Sequence, residues 1–410
     1  MIILGLTYHL LAPPTSARQS YSNTAAIVNR GLEPVTVTGI FPDVPLNQIF
    51  VYREIGGSWE QIPFQIDEKS SSGTYVGTED NLMDINDEIV FMAQDLGVQA
   101  TTSITGSLPI SPTWHEIEVS DPLNSSAKGW VYIVRSTVLS LNTSTDYVSY
   151  SASNQRVSAT NYTFDYATNH AGLNNMTLFG GSDILDRTKV RIKGSFMGFP
   201  FEINESDLPA PAVTLVKDGL VRVISKRGSV TTLAYASYIQ TETIIDFSSQ
   251  EGTIKEARLS TDLNANAVNG TFYNENTPSG VTINGSPDPV KATPLNTPWR
   301  QVSLNSGTTI QVFDLEDVSG TVSYYYKDNS ATDSNDTGDQ KSYGDSGIKI
   351  SNPTSKKLTY LSIQYILSGK QGNKGATYYQ YVNNPLEVHK EVFPAPNFSN
   401  KVYLPIVFRK

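Results

Sequence analysis

The sequence predicts an all-β protein made of antiparallel β-sandwich domains, with a supersandwich as the alternative for the larger domain. Apolar residues recur at every second position in many short segments, and turn residues separate these segments. Charged residues make up only 17% of the 410-residue chain, which instead contains 22 Tyr and many Ser, Thr, Asn and Gly residues. These residue types favour strands and turns. No segment follows the 3.6-residue period over a length that predicts an ordinary helix.

The chain begins with a mostly apolar stretch, Ile2–Leu11, followed by small residues. Thr15 and Ala17 would occupy the −3 and −1 positions of a signal-peptide cleavage site, although no basic residue precedes the apolar stretch. Residues 1–17 are therefore predicted to be a signal-peptide-like segment, and the alternative is an N-terminal strand or short buried helix. No other apolar run approaches the length of a membrane span. We expect an extracellular or cell-surface protein without a transmembrane segment.

Residues 23–150 are predicted to form an N-terminal β-sandwich. The segment "QIFVYREIGGSWEQIPFQIDE" reads as two strands around Gly56 and Gly57, because a Gly-Gly pair between apolar alternations is typical of a two-residue hairpin. Pro63 removes a backbone donor and suggests an edge strand. "DEIVFMA", "HEIEVS" and "GWVYIVRS" are the next strands.

Residues 155–395 are predicted to form a larger β-sandwich. Its strands are expected at "TKVRIKG", "GLVRVIS", "TTLAYASYIQTETIIDFS", "TTIQVFDL", "GTVSYYYK", "LTYLSIQYILSG" and "TYYQYV". Residues 284–299 contain four prolines and mark a candidate internal break. Residues 396–410 are predicted to form a last strand, in which Pro405 suggests an edge position. Edge strands invite pairing with another chain, so self-association is one possible interaction.

Net charge and cysteine content exclude several classes of protein. The net charge of −10 argues against a general nucleic-acid binder. The chain has no cysteine, which excludes disulfides, thiolate metal sites and cysteine nucleophiles.

One strand of this acidic protein carries a stripe of cations. In "RTKVRIKG" four basic residues alternate with apolar ones, so the period of two places all four on one strand face. "VRVISKRG" adds three more on a strand that is a candidate neighbour. Cations in a row repel one another unless an anion neutralises them, and the anion is either a set of internal carboxylates or an anionic polysaccharide. The candidate ligand-binding residues are Arg187, Lys189, Arg191, Lys193, Arg222, Lys226 and Arg227.

The segment "TDSNDTGDQKSYGDSG", residues 332–347, is predicted to be a long hairpin loop. Its D-x-N-x-T-G spacing resembles the first half of an EF-hand calcium loop, with Gly338 at the sixth position. The twelfth position, where such loops carry a bidentate Glu, is Gly344. The alternatives are a weak calcium site and a solvated polar turn. The candidate metal ligands are Asp333, Asn335, Thr337, Asp339 and Asp345.

Hydrolytic motifs are not found in the sequence. Among four histidines there is no H-E-x-x-H zinc motif, and no G-x-S-x-G nucleophile elbow occurs. Acidic pairs are common, but sequence does not give the spatial separation that glycoside hydrolysis depends on. We assign no catalytic residue. The four tryptophans and the Tyr-rich strands either stack on sugar rings or pack within the sandwiches.

Two resemblances bear on fold and location. Residues 49–68 ("IFVYREIGGSWEQIPFQIDE"), residues 84–97 ("DINDEIVFMAQDLG") and the final "VYLPIVFRK" resemble uncharacterised secreted proteins of filamentous thermophilic bacteria. The order "KDGLVRVISKRG" followed by "TTLAYASYIQTETIIDFS" is similar in layout to β-supersandwich proteins related to sugar mutarotases and exo-acting polysaccharide lyases. Neither resemblance transfers a catalytic residue to this chain.

Three functional hypotheses follow. The first is an extracellular or cell-surface β-sandwich protein with a structural or glycan-binding role. The second is a carbohydrate-active enzyme, a polysaccharide lyase or glycoside hydrolase, acting on acidic polysaccharide. The third is a self-assembling filament or sheath subunit.

Overall fold

A computed structural model describes residues 28–393 except residues 79, 102, 247, 249, 250, 316, 317 and 356. Half of the described residues lie in strands and 6% in helices, and the strands form several antiparallel sheets. The all-β, sandwich-like prediction is therefore confirmed. The signal-peptide-like segment 1–17 and the C-terminal strand 396–410 lie outside the described residues.

The first thirteen strands lie in the first half of the chain and have between three and twelve residues. They are β1 Pro34–Val37, β2 Ile49–Ile55, β3 Ser58–Gln61, β4 Gln65–Asp67, β5 Glu88–Met92, β6 Trp114–Asp121, β7 Asn124–Arg135, β8 Val148–Ser151, β9 Arg156–Ala159, β10 Tyr162–Tyr166, β11 Leu173–Leu178, β12 Leu185–Phe196 and β13 Phe199–Asn204. The rest are β14 Thr214–Asp218, β15 Val223–Arg227, β16 Val230–Ala234, β17 Tyr238–Asp246, β18 Thr253–Leu263, β19 Thr271–Asn274, β20 Val281–Thr282, β21 Trp299–Ser303, β22 Gly307–Asp314, β23 Thr321–Asn329, β24 Ser342–Ser351, β25 Lys357–Ser368, helix α1 Gly375–Asn383 and β26 Glu387–Phe393. Single 3-10 turns occur at Val28–Arg30, Leu46–Gln48, Ala93–Asp95, Ile104–Gly106 and Ala265–Ala267.

Two sheets make up the N-terminal part. A five-stranded sheet has the order β26-β6-β7-β2-β3, and a three-stranded sheet has the order β1-β5-β4. The β2–β3 hairpin turns at Gly56 and Gly57, whose φ angles of 57° and 83° fit the left-handed conformation that glycine tolerates. The strand β26 lies within the range 155–395 assigned to the larger domain, yet it pairs with β6 of the N-terminal sheet.

Three sheets make up the larger part. They are a four-stranded sheet β11-β10-β9-β8, a five-stranded sheet β13-β12-β18-β24-β23, and a nine-stranded sheet β14-β15-β16-β17-β25-β22-β21-β19-β20. The proline-rich residues 284–299 connect β20 to β21 within the nine-stranded sheet. The five-stranded sheet that contains β12 is called the five-stranded sheet from here on. Its apolar side chains, such as Val190, Ile192 and Ile348, pack in one core cluster with Phe313 and Leu358 of the nine-stranded sheet.

One predicted strand is wrong, because "TYYQYV" lies in helix α1. Asn373 accepts a hydrogen bond from the backbone N–H of Gly375 (3.2 Å) at the start of the helix. A Cβ on Gly375 would lie 1.9 Å from the ring of Trp299, so only glycine allows the helix to approach this tryptophan. Tyr378 and Tyr381 then share one helix face and pack in a core cluster, which outweighs the strand preference of tyrosine. No helix in the described part of the chain is long and apolar enough to span a membrane.

Candidate functional site

The cations of β12 and the polar loop converge on one face of the five-stranded sheet. Lys189, Arg191 and Lys193 are opposite Ser260, Arg258 and Glu256 of β18. Alternation places the interleaved residues of β12, Val190 and Ile192, in the apolar core on the other face. We call the face that carries the cations the polar face; it comprises Lys189, Arg191, Lys193, Glu256, Arg258, Ser260, Tyr325, Asp345, Gly347 and Lys349.

At one end of the polar face the cations are buried and paired with carboxylates. Lys189 is fully buried between Asp262 and Asp336, and its Nζ lies 3.0 Å from Asp336 Oδ1. Arg191 forms an ion pair with Glu205 and a second one with Asp336 Oδ1 at 2.8 Å. These internal carboxylates neutralise the cations, which would otherwise repel one another along the strand. A polysaccharide cannot contact Lys189, because this side chain has no exposed surface.

Arg187 and Lys193 flank this buried end and are more accessible. Arg187 lies 3.7 Å from Asp186 and 3.6 Å from Glu205, measured between the closest nitrogen and oxygen atoms. Lys193 is half exposed and lies 3.5 Å from Glu202 on the edge strand β13. The exposure of the four cations of β12 therefore ranges from fully buried at Lys189 to half exposed at Lys193.

The loop between β23 and β24 covers the buried end. Asp336 contacts both Lys189 and Arg191, and Thr337 donates its hydroxyl to Glu205 while it accepts from Arg191 Nη2 at 2.7 Å. Two separate sequence motifs thus meet, because the loop supplies anions and hydroxyls to the cations of β12.

The loop is shorter than the sequence predicts. The predicted loop spans residues 332–347, whereas β24 begins at Ser342, and Asp345 is a fully buried strand residue. The placement of Asp345 in the loop is wrong, because residues 342–351 pair with β23 and β18 on both sides.

The remaining candidate metal ligands point to different partners. Asp333 accepts from the backbone N–H of Asn335 at 3.1 Å and lies 3.4 Å from Lys327 Nζ. Asp339 accepts from the backbone N–H of Lys341 at 2.8 Å, and its own N–H donates to Asp186. Within the described residues, no group of three or more His, Cys, Asp or Glu side chains is placed to hold a metal ion. Calcium binding stays a prediction.

The second basic run belongs to the nine-stranded sheet and lies apart from the polar face. Arg222 is buried and bonds to Asp67 and Glu88, which belong to the three-stranded sheet of the N-terminal part. It therefore joins the two parts of the molecule. Its guanidinium also lies over the ring of Tyr75 at 5.0 Å.

Arg227 and Lys226, of the same run, have backbone partners. Arg227 donates to the carbonyl oxygens of Ala167, His170, Gly172 and Pro211. Lys226 Nζ donates to the carbonyl oxygen of Tyr75 at 3.3 Å. These contacts hold chain segments together.

Level with Arg191 across the sheet, two further cations of the described residues have no carboxylate partner, and with Tyr325 they form what we call the open end of the polar face. Arg258 of β18 is directly opposite Lys349 of β24, and both side chains are partly exposed. Among the described residues no carboxylate forms an ion pair with either of them, and Arg258 Nε has no hydrogen-bond acceptor. Like charges that face each other across two strands are destabilising, so this pair favours an external anion.

Tyr325 completes this open end. It is opposite Gly347, which has no side chain, so the tyrosine ring reaches across β24 and lies 4.1 Å from the guanidinium carbon of Arg258. Burial, followed by the charge of Asp345, raises the pKa of Tyr325 far above its ordinary value. The phenol therefore stays protonated at neutral pH and is a stacking group and hydrogen-bond donor, not a base.

The two carboxyl groups beside Lys189 have pKa values that are shifted in opposite directions. Burial acts to raise the pKa of Asp336, but Lys189 and Arg191 outweigh it and lower the pKa to about 2. Burial and the charge of Asp345 raise the pKa of Asp262 to about 8 despite its contact with Lys189.

The sequence did carry a signal for the open end. Arg258 stands between Ala257 and Leu259, and Lys349 stands between Ile348 and Ile350. The same pattern, one cation between two apolar residues, occurs in β12 at Val190, Arg191 and Ile192. Only the pairing of β18 with β24 shows that the two cations are neighbours.

The other candidate groups named from the sequence lie in packed surroundings. Trp59 and Trp114 pack around Tyr132, with ring centroids 4.8 and 5.8 Å from it. A surface cavity of about 210 Å³ lies between Asn266, Asn269 and Asn305, and no titratable side chain lines it.

No family model matches the chain, and no curated protein shows significant similarity to it. The resemblances noted from the sequence stay predictions.

Proposed function

We propose that this protein is an exported, surface-associated β-sandwich protein that binds anionic polysaccharide through the open end of its polar face. The observation that carries the proposal is the pair of cations Arg258 and Lys349, which face each other without a carboxylate partner. Export rests on the signal-peptide-like sequence of residues 1–17.

The chemistry of the open end fits a sugar chain with acidic groups. Arg258 presents a planar guanidinium that pairs with a carboxylate or sulfate through two parallel hydrogen bonds. Lys349 supplies a second charge on the adjacent strand, about 5 Å away at the spacing of neighbouring strands. Tyr325 offers an aromatic surface beside them, and aromatic side chains stack on the apolar faces of sugar rings.

Binding is favoured over lyase or hydrolase activity at this site. A lyase that acts on uronic acids needs a base beside the cations, and the raised pKa of Tyr325 removes the nearest phenol from that role. Of the two carboxylates of the polar face, Glu256 is partly exposed and opposite Lys193, and Asp345 is fully buried and cannot contact a polysaccharide.

Retention on a resin of immobilised alginate or pectate tests the proposal. The wild-type protein should be retained at low salt and released as salt rises, because exposed charges are screened. The double variant Arg258→Gln/Lys349→Gln should lose retention. The matched control is Lys255→Gln/Lys374→Gln, which removes the same two charges from exposed positions elsewhere and should be retained like the wild type.

Circular dichroism should show that both double variants keep the strand content of the wild type. Equal retention of the two double variants would overturn the proposal, because net charge alone would then account for binding.

A further inference from the structure

We propose that Lys189 and Asp262 are joined by an intramolecular amide bond that forms after folding, with Asp345 as the proton acceptor. This covalent modification goes beyond the proposed function and uses the buried end of the polar face, not the open end. It would link β12 to β18 in the middle of the five-stranded sheet.

The geometry brings the two reacting groups together and excludes water. Lys189 Nζ is in direct contact with Asp262 Oδ2, and both side chains have no exposed surface. Asp262 Oδ1 accepts a hydrogen bond from the backbone N–H of Tyr343 at 3.2 Å. Asp262 Oδ2 has no hydrogen-bond donor besides its contact with the lysine. The carboxyl group is therefore held with one oxygen fixed as a carbonyl acceptor and the other free to leave.

Asp345 is the third group of the arrangement. It is fully buried on β24, and neither of its carboxylate oxygens has a hydrogen-bond partner. A carboxylate that is buried without a hydrogen-bond partner is costly to the fold. Its charge acts on both Lys189 and Asp262. Among the described residues no ion pair joins Asp345 to Lys189, and we infer the proton transfer from the burial that the two groups share and from the influence of the Asp345 charge on the lysine.

The reaction is a condensation that needs no oxidant and no co-reactant. Asp345 takes one proton from the ammonium of Lys189, and the neutral amine attacks Cγ of Asp262. The Cγ–Oδ2 bond breaks, and the hydroxyl leaves as water with a second proton from the amine. Asp345 stays protonated and neutral, which removes the cost of its unpaired buried charge.

Two physical effects favour the condensation here over the same reaction in water. Burial raises the pKa of Asp262 to about 8, so the carboxyl group is neutral at pH 7 and open to attack. Fixed contact between an amine and a carboxyl group replaces a bimolecular encounter by an intramolecular step. Burial acts to lower the pKa of Lys189, but the charges of Asp262 and Asp345 outweigh it and raise the pKa, so a proton acceptor is needed before the amine can attack.

Mass spectrometry of the full-length protein after protease digestion tests the proposal. We expect one branched peptide that contains residues 189 and 262 and is lighter by one water than its two parts. Lys69 and Glu88 also form an ion pair but are partly exposed, and their peptides should stay separate. A digest in which the peptides of Lys189 and Asp262 are fully separate would overturn the proposal.

Three variants separate the chemistry from simple burial. Asp262→Asn should give the same branched peptide, because the carboxamide side chain of asparagine condenses with the lysine and releases ammonia in place of water. Lys189→Arg keeps the positive charge but cannot form the bond and should give separate peptides. Asp345→Asn should also give separate peptides, and a branched peptide in this variant would overturn the role of Asp345. Circular dichroism of each variant shows that the fold is retained.

Discussion

The two ends of the polar face contain the same kinds of side chain and differ in what surrounds them. At the buried end, Lys189 and Arg191 are enclosed by the carboxylates of Asp262, Asp336 and Glu205. At the open end, Arg258 and Lys349 face each other with an aromatic ring beside them and no carboxylate partner. Rows of cations on neighbouring strands therefore do not by themselves indicate a binding site. The distribution of the internal acids decides which cations are available.

The difference has a physical origin in the loop between β23 and β24. Asp336 and Thr337 project from this loop onto β12 and neutralise its buried cations. The loop begins beyond Asn329, at the end of the sheet where Lys327 is opposite Asp345. Arg258 is directly opposite Arg191, and Lys349 is opposite Arg258 on the next strand. In the described part of the chain no loop residue forms an ion pair with either of these two cations. One hairpin connection thus divides the polar face into a structural end and an accessible end.

The largest expected effect comes from removing a buried cation. Arg191→Met would leave the buried Glu205 without its closest ion pair and Asp336 with Lys189 alone, which costs about 3–5 kcal/mol of unfolding free energy. Lys193→Met on the same strand is half exposed and should change stability by less than about 0.5 kcal/mol. Urea unfolding of both variants measures the difference. Equal destabilisation by the two substitutions would contradict the division of the polar face.

Acid titration of stability should also distinguish the buried end. The folded pKa of Asp336 is lowered to about 2 from its ordinary value of 3.8, so its ion pairs stabilise the fold fully above the unfolded pKa. That contribution, about 2 kcal/mol, is lost as the pH falls from about 4 to about 2. Asp336→Asn should be less stable than the wild type at neutral pH, and the two proteins should converge near pH 2.

Asp333→Asn provides the control within the same loop. Asp333 is nearly half exposed and lies 3.4 Å from a partly exposed lysine, so its substitution should lower the free energy of unfolding at neutral pH by less than about 1 kcal/mol. Urea unfolding at several pH values supplies the data. If Asp333→Asn and Asp336→Asn flatten the acid limb equally, the special role of Asp336 is wrong.

A smaller effect should come from the open end. A guanidinium over an exposed or partly exposed aromatic ring contributes about 0.5–1 kcal/mol. A double-mutant cycle of Arg258→Met and Tyr325→Leu should therefore give a coupling free energy of about 0.5–1 kcal/mol. A coupling near zero would show that the two side chains are independent and that the open end is less ordered than the contact suggests.

Part of this organisation could be predicted from the sequence because it follows local periodicity. Alternation along β12 correctly places Val190 and Ile192 in the core, and the Gly56-Gly57 pair marks a real hairpin. These features depend on residues that are neighbours in the chain. The same alternation around Arg258 and Lys349 was present, but its meaning depends on which strands pair, and pairing is not encoded in a single segment.

Other features could not be predicted because tertiary contacts outweigh local preference. Helix α1 forms in a Tyr-rich segment since Gly375 lets it pack against Trp299, which is 76 residues away in the chain. Asp345 lies in a polar, Gly-rich segment that is typical of a loop. It is nevertheless buried in a strand, because β24 pairs with β18 on one side and with β23 on the other. The partners of Arg222 lie in the N-terminal part, so its role as a link between the two parts depends on the packing of two distant regions.

The smallest expected effect concerns calcium and the loop that covers the buried end. Three of the candidate oxygen ligands of this loop already have partners: Asp333 lies beside Lys327, Thr337 bonds to Glu205, and Asp339 accepts from the backbone N–H of Lys341. A calcium ion would have to displace these contacts to collect the six to eight oxygens that it prefers. We therefore expect millimolar calcium to leave the melting temperature of the wild type unchanged relative to a chelator. Ligands that bind only the folded state raise the melting temperature. A rise that calcium produces in the wild type but not in Asp333→Ala would thus establish a calcium site in this loop, and the loop would then be more than a cover for the cations of β12.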